Sequence, residues 1–350
     1  MTKYRYGCTI CSVIVLQILA RPATRGVPAG TPFLFSGGRM AKPFLTYAEQ
    51  IAVLEKEKLL IVPDHVYAER MLQQVGYFAL VGGYKLPFKN PTTRKYRDGT
   101  TFNDIVALYK FDENLRELFL KYILKIERNI RSLLSYYFTE KFGEKQECYL
   151  NKANFTVKPH SEKSVNRLVG MMRDMVSDDG DYPYINHYRH VHNNVPLWVL
   201  INAVTLGTLS KFYSLMTDDL KARVSKNFAA VNEKQLEQYL SVITKFRNVC
   251  AHNERLFSYQ VKNDIPDTVL HKKLGIEKNG AQYVYGKKDL FAVVIAFRYL
   301  LENDDLHKFK KQLSRILTHY FDSSNALSEA ELLEYMGFPP NWEKVSVYRK

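Results

Sequence analysis

Apolar residues recur at three- and four-residue steps from about Asp104 to Phe142, and this periodicity constrains the fold more than any other feature. Residues at this spacing share one face of a helix, so the segment predicts one long helix. The recurring residues are Ile105, Leu108, Tyr109, Leu115, Leu118, Phe119, Tyr122, Ile123, Ile126, Ile130, Leu133, Leu134 and Tyr137. We predict that this helix is the spine of a helical bundle.

Most of the remaining chain also contains residues typical of helix beginnings and ends. Capping signals begin helices at Thr46, Asp64, Asn232 and Ser328. The predicted helices span 46–58, 64–75, 161–177, 197–216, 232–251, 288–302 and 304–321, with a last one from Ser328. The sequence therefore predicts an all-α bundle with additional N- and C-terminal helices and little or no strand.

Two stretches interrupt this pattern. Proline and glycine break 150–196, where we predict a single helix over 161–177. The helical pattern is weak from His252 to about Gly286, and Tyr283-Val284-Tyr285 is predicted as a short strand or hairpin arm.

The predicted domains are an N-terminal helical region at 40–100, a helical domain with insertions at 101–325 and a C-terminal helical tail at 326–350.

Residues 1–39 differ in character from the rest of the chain. Residues 9–20 form an apolar run that resembles a weak signal-peptide core but is short for a membrane span. The alternative is translated upstream sequence with Met40 as the natural start, and we favour it because nothing downstream looks secreted. We expect a disordered, loosely attached or spurious extension, and no stable membrane association.

The charge of the chain points to a polyanionic partner. The sequence has 50 basic and 36 acidic residues, a formal net charge of +14. Residues 1–39 hold five basic and no acidic residues, which leaves 45 basic against 36 acidic residues in 40–350. RNA is the partner that we predict from this excess and from the segment described below. A solvated basic surface without a partner is the alternative.

Cysteine usage and missing motifs exclude several classes of function. The four cysteines form no disulfide framework and favour a reducing, cytoplasmic location. Cys8 and Cys11 are half of a zinc motif without a second pair, so we predict no metal. There is no glycine-rich phosphate loop, nucleophile elbow or carboxylate-rich metal motif. This argues against an NTPase, an esterase-type hydrolase and a two-metal nuclease, and we predict no cofactor.

The segment from Phe246 to Leu256 carries the strongest candidate chemistry. It reads Phe-Arg-Asn-Val-Cys-Ala-His-Asn-Glu-Arg-Leu, at the end of a predicted helix and its exit. Arginine with histidine five residues later arises often by chance, whereas the fuller pattern is much more specific. The structural alternative is a helix-end arginine and a histidine that caps terminal carbonyls. Cys250 is predicted as a small buried residue, not a nucleophile.

This segment resembles the Arg-x4–6-His signature of HEPN domains, and it is most similar to the Abi-like abortive-infection family of the AbiD/AbiF type. Other blocks match that family in order. They are Gly76-Tyr77-Phe78 with Gly83-Tyr84 and Pro87-Phe88, then Leu108-Tyr109, Phe111-Asp112, Leu115-Arg116, Ile126-Glu127 and Arg131, then Pro196-Leu197-Trp198 with Leu206-Gly207 and Leu209-Ser210. The resemblance covers about residues 40–325.

The resemblance implies a HEPN-type fold that cleaves RNA without a metal. Histidine can move protons near neutral pH, and arginine can neutralise charge that grows on phosphorane oxygens. Arg247 and His252 are therefore the predicted catalytic residues, and Asn248 is predicted to orient the site or bind phosphate. The RNA 2′-hydroxyl is the nucleophile, and the products are a 2′,3′-cyclic phosphate and a 5′-hydroxyl.

The spacing of the two catalytic candidates favours a homodimer. Residues five apart on a helix lie about 140° apart around its axis, so Arg247 and His252 of one chain do not readily converge on one phosphate. Two copies that face each other across a two-fold axis supply two arginines and two histidines to one cleft. The family resemblance implies the same arrangement.

Four residues are predicted to support this site. Glu127 and Arg131 lie four residues apart on the long helix, where the alternatives are a simple intrahelical ion pair and support for the Arg-His pair. Asn253 and Arg255 follow the motif and are predicted to support it or to contact RNA.

The middle region offers further RNA-binding candidates on a predicted RNA-facing loop. They are Tyr188, Arg189 and His190. The neighbouring Tyr182 and Tyr184 could stack on bases. A metal site is the alternative for three histidines, although their spacing fits no standard zinc pattern. These are His187, His190 and His192.

The leading functional prediction is a metal-independent endoribonuclease that acts as a growth-arresting toxin in phage defence. One alternative is a catalytically silent module that binds a structured noncoding RNA. Another is an interaction protein that senses a phage component. Cleavage of RNA in EDTA distinguishes the first of these from the other two.

Overall fold

Helices account for most of residues 43–156, 161–177 and 180–348, the part of the chain that the computed structural model describes. In chain order the α-helices are α1 (Tyr47–Lys56), α2 (His65–Val75), α3 (Phe102–Phe142), α4 (Gln146–Leu150), α5 (Glu162–Ser177), α6 (Pro183–His192), α7 (Leu197–Leu200), α8 (Leu206–Leu215), α9 (Asp218–Ser225), α10 (Glu233–Ala251), α11 (Val269–Lys273), α12 (Leu290–Leu300), α13 (Asn303–Ser323) and α14 (Glu329–Met336). A π-helical turn covers Phe78–Gly82. Three 3-10 turns cover Leu86–Phe88, Lys152–Asn154 and Trp342–Ser346.

Helix α3 lies where the periodicity predicts a long helix. The Thr101 hydroxyl accepts the backbone N–H of Asp104, and the Asp104 carboxylate accepts the N–H of Thr101 in return. This capping box fixes the first turn. Gly143 follows the last turn with a φ of 100°, a backbone conformation that favours glycine. The apolar face of α3 is buried against α10 and α13, as expected of a bundle spine.

Helix α12 shows where the core is densest. All of its residues are buried, from Leu290 to Leu300, and it packs against α10 and α13. A helix that is apolar on every side must be covered on every side. Helix α10, which carries the Arg-His segment, packs against both α12 and α3.

The predicted helix caps are confirmed. Thr46, Asn232 and Ser328 each form a complete capping box, and Asp64 accepts the backbone N–H of Tyr67. These contacts join residues three positions apart, so sequence alone can reveal them. The all-α prediction is confirmed, whereas the HEPN type of bundle remains a prediction.

Two predictions in the middle of the chain are wrong. The stretch 150–196 contains a second helix, α6, because Pro183 occupies its first turn, where a missing N–H costs nothing. The predicted helix 197–216 is divided into α7 and α8. Asn202 donates to the carbonyls of Trp198 and Val199, and the Thr205 hydroxyl accepts the N–H of Thr208 to begin α8.

Strand content is small within the described residues. Lys278–Asn279 (β1) pairs antiparallel with Gln282–Tyr283 (β2), with Lys278 opposite Tyr283. The predicted hairpin arm thus begins one residue earlier than expected and ends at Tyr283. Little strand was predicted, and this is confirmed.

Leu45–Lys350 form one compact unit. The domain boundaries at 100/101 and 325/326 remain predictions. The predictions made for residues 1–39 lie outside the described residues. Among the helices that the structure describes, none combines the length and apolarity that a bilayer crossing requires.

Candidate active site on helix α10

The Arg-His segment forms the last turn and the exit of α10. Arg247 is 28% exposed in its side chain, and Asn248 next to it is exposed. Val249 and Cys250 face the core. Burial raises the pKa of the Cys250 thiol to about 12. The thiol is therefore uncharged at neutral pH, which fits its predicted role as a filler residue.

Glu127 lies between two arginines. Its Oε2 is 3.9 Å from Nε of Arg247, and its Oε1 accepts a hydrogen bond from Nη2 of Arg131. Only 2% of Glu127 is exposed. A buried carboxylate needs positive partners, and here one comes from the same helix and one from α10. The intrahelical pair with Arg131 therefore exists together with the contact to Arg247.

Arg247 keeps hydrogen-bonding capacity in this arrangement. The Nε atom of Arg247 has no hydrogen-bond partner within the described residues. The same is true of the Oε2 atom of Glu127. Glu127 thus attracts the guanidinium by charge without aligned hydrogen bonds at these two atoms. Because Nε is buried while the side chain is 28% exposed, the terminal N–H groups of Arg247 are the ones that can face a phosphate.

The backbone at the helix exit places His252 at the surface. The N–H of His252 donates to the carbonyl of Asn248 at 2.9 Å, and the N–H of Glu254 donates to Val249 at 3.0 Å. Asn253 has a φ of 57°, in the left-handed region that asparagine tolerates better than most residues. The backbone caps the helix, and the exposed His252 imidazole is left for other contacts.

A buried network holds the chain just after this exit. The Asp112 carboxylate accepts the backbone N–H groups of Leu256 and Phe257, at 2.9 and 2.6 Å. It also accepts from the Tyr84 hydroxyl at 2.7 Å and from Arg116 at 2.9 Å. Asp112 is fully buried and Arg116 is 4% exposed. Burial raises the pKa of Asp112, and the hydrogen bonds that it accepts act in the opposite direction.

Sequence reasoning assigned no role to this network. Asp112 and Arg116 were noted only as part of a family block. The sequence did contain a sign of this network, because Asp112 and Arg116 lie four residues apart among the apolar residues of α3. Charged residues at buried positions are almost always paired and hydrogen-bonded, so they predict a polar anchor.

Arg255 supports the fold on the other side of the exit. Its Nη1 donates to the carbonyl of Gly83 at 2.6 Å, which ties the motif segment to the connection after α2. Support of the Arg-His pair and contact with RNA by Arg255 both remain predictions.

The candidates in the middle region lie on helix α6, not on the predicted loop. Arg189 donates to the carbonyl of Val176 at 3.1 Å and to Asn186 at 3.0 Å, so its guanidinium joins α6 to the end of α5. Tyr188 packs against the ring of His192. Across the described residues no three His, Cys, Asp or Glu side chains are grouped to hold a metal ion. RNA binding by Tyr188, Arg189 and His190 remains a prediction.

The beginning of α6 adjoins the Glu127 cluster. The Tyr182 hydroxyl donates to the carbonyl of Ala203 at 3.4 Å, and Arg131 donates to the next carbonyl, that of Val204, at 2.9 Å. Tyr182 and Tyr184 are 40% and 39% exposed. The structure therefore places two partly exposed rings near Arg131. Helix α6 also carries Tyr188, Arg189 and His190.

Fold and site together define an all-α protein with an arginine and a histidine at the end of a central helix, on a basic chain. A model of the family described as Abi-like protein matches residues 70–258, which include α3, α10 and the Arg-His segment. The chain belongs to this Abi-like protein family. No curated protein and no solved structure matches the chain.

Proposed function

We propose that the protein is a metal-independent endoribonuclease of the HEPN type that acts in abortive infection, as a toxin in phage defence. The observation that carries this proposal is the end of α10, where the partly exposed Arg247 lies beside Glu127 and the exposed His252 follows five residues later. The net charge of +14 supports an RNA substrate. Membership of the Abi-like family supports the biological role.

The proposed reaction needs only the RNA and these side chains. The 2′-oxygen attacks the adjacent phosphorus, and the bond from phosphorus to the 5′-oxygen of the next nucleotide breaks. One imidazole accepts the 2′-hydroxyl proton, and a protonated imidazole gives a proton to the departing 5′-oxygen. Arg247 neutralises charge on the phosphorane oxygens. The products are a 2′,3′-cyclic phosphate and a 5′-hydroxyl.

This proton balance supports a homodimer. The reaction uses one histidine as base and another as acid, whereas each chain supplies a single His252 in the motif. Two α10 ends related by a two-fold axis would supply both histidines together with two copies of Arg247. Asn248, exposed beside Arg247, would hydrogen-bond to the phosphate.

Mixing wild-type and inactive chains tests the shared site. We expect Arg247→Ala and His252→Ala each to lose RNA cleavage in EDTA. After co-refolding with an excess of His252→Ala, most wild-type chains are in mixed dimers, which hold a single His252 and lack the second group for proton transfer. Cleavage of a labelled single-stranded RNA per wild-type chain should therefore fall, and wild type refolded with itself is the control. Unchanged cleavage per wild-type chain in dimers shown to be mixed would contradict a shared site.

Replacing Glu127 with glutamine tests its position beside Arg247. The substitution keeps the shape but removes the charge between two guanidiniums. We expect the single-turnover cleavage rate at saturating protein to fall about tenfold to a hundredfold, the scale of a misplaced catalytic group. RNA affinity should change little. Glu113→Gln, at an exposed position on the same helix, is the control. Parallel losses of affinity and rate would indicate a general structural defect instead.

A further inference from the structure

A cleft of about 700 Å³ opens directly beside the motif. One wall is the chain after His252, from Asn253 to Arg255, and the opposite wall is the π-helical turn Phe78–Gly82 with the residues around it. Its volume is that of a small-ligand site, within the usual 300–1,000 Å³ or so. The motif and the cleft thus share one segment of chain.

We propose that this cleft binds an unpaired RNA nucleobase next to the phosphate that is cleaved. The inference rests on the proposed function, because it assigns the phosphate to Arg247 and His252. It adds a site for base recognition that is separate from those residues.

Aromatic rings in the cleft support stacking on a base. Phe78 is 90% exposed, although it begins a turn in which Leu80 and Val81 are buried. Tyr109 and Tyr259 line the same cleft and are half-buried. Unpaired bases stack on such rings. An exposed aromatic side chain with further rings in the same cleft is suited to this contact.

The polar residues of the cleft fit a base edge better than a phosphate. Gln74, Gln260 and Asn253 present amides, and Glu254 presents a carboxylate. The nearby Arg255 is already bonded to the Gly83 carbonyl. A carboxylate repels phosphate but accepts hydrogen bonds from base N–H groups, and amides can both donate and accept. The charge pattern therefore assigns the phosphate to Arg247 and the base to the cleft.

Gly83 offers a way to fill the cleft without disturbing the fold. It lines the cleft with an ordinary helical backbone, φ −73° and ψ −39°. A Cβ built there meets nothing within 4 Å. A larger side chain at this position would occupy open space, so Gly83→Leu should exclude a base while the protein still folds.

The test combines protein variants with RNA lacking single bases. Binding is measured in the His252→Ala background, so that the RNA stays intact, with a single-stranded oligonucleotide whose cleavage position has been mapped with the wild type. We expect Phe78→Ala and Gly83→Leu each to weaken binding on the order of tenfold, as loss of one base-stacking contact does. Leu86→Ala, at a 58% exposed position in the same connection but outside the cleft, should change affinity less than about twofold, as expected for a surface substitution.

Abasic substitutions then identify the contact. One abasic position beside the cleavage point should weaken binding by a similar factor, and Phe78→Ala should add little to that loss, because both changes remove the same contact. If the losses of affinity from the abasic position and from Phe78→Ala add up, the cleft does not bind that base. Unchanged affinity in both cleft variants would also overturn the cleft proposal, and neither result would affect the proposed function. Wild-type protein that does not cut RNA would overturn the proposed function instead. Phe78→Ala removes an exposed side chain, so the test does not depend on Gly83→Leu folding.

Discussion

Replacing His252 with alanine should reduce RNA cleavage in EDTA about a hundredfold to ten-thousandfold, the range that general acid–base catalysis contributes. The side chain is exposed, and the backbone forms the capping hydrogen bond of the helix end, so the variant should fold normally. EDTA removes any contribution from divalent metal ions. The measurement is the single-turnover rate on a labelled RNA, with identification of the 2′,3′-cyclic phosphate and 5′-hydroxyl ends.

Two comparisons make this experiment specific. His307→Ala removes another exposed histidine, on α13, and should retain wild-type cleavage. RNA affinity of His252→Ala should stay close to that of the wild type, because the proposal gives this residue a role in proton transfer. If wild-type and His252→Ala protein cut RNA equally fast, His252 has no part in the mechanism. If the wild type binds RNA without cutting it, the protein is a binding module.

Replacing Asp112 with alanine should lower the free energy of unfolding by about 3–5 kcal/mol, the cost of removing one partner of a buried ion pair. Arg116 would remain buried without its anion, and the N–H groups of Leu256 and Phe257 would lose their acceptor. Urea denaturation followed by circular dichroism measures the change. In Asp112→Asn, hydrogen exchange in a peptide covering 254–258 should accelerate, since this substitution weakens the same contacts.

The chain contains a matched exposed pair for comparison. Asp304 and Lys308 also lie four residues apart on one helix, 3.8 Å from each other, with side chains 90% and 65% exposed. Asp304→Ala should cost at most about 1 kcal/mol, because solvent screens exposed pairs. A similar small loss for Asp112→Ala would show that the buried pair does not anchor the exit of α10.

The elements that sequence predicted well depend on short-range contacts. The cap at Asn232 needs only Gln235, and the apolar face of α3 needs only residues three and four positions apart. The errors in helix prediction arose where two features of the local sequence pointed to different structures. Proline was read as a break at 183, although it is well accommodated in the first turn of a helix. The junction at 201–205 depends on side-chain bonds of Asn202 and Thr205 that periodicity does not register.

Part of the candidate site was likewise predictable from sequence, and part was visible only in the structure. The sequence pointed to Arg247 and His252, which the structure places at the end and exit of α10. It also pointed to Glu127, which the structure places against Arg247. Their catalytic roles remain predictions for the experiments above. The Asp112 anchor and the cleft between Phe78 and Asn253 had no place in the sequence analysis.

The amino-acid sequence by itself determined most of the helices, their predicted caps, the basic charge and the segment that carries the candidate chemistry. Only the tertiary structure decided what surrounds that segment. Asp112 and Leu256 are 144 residues apart in the chain and 2.9 Å apart in space, and Arg255 and Gly83 are 172 residues apart. Helix periodicity extends over a few residues, whereas such contacts form only when packing of the core brings distant helices together.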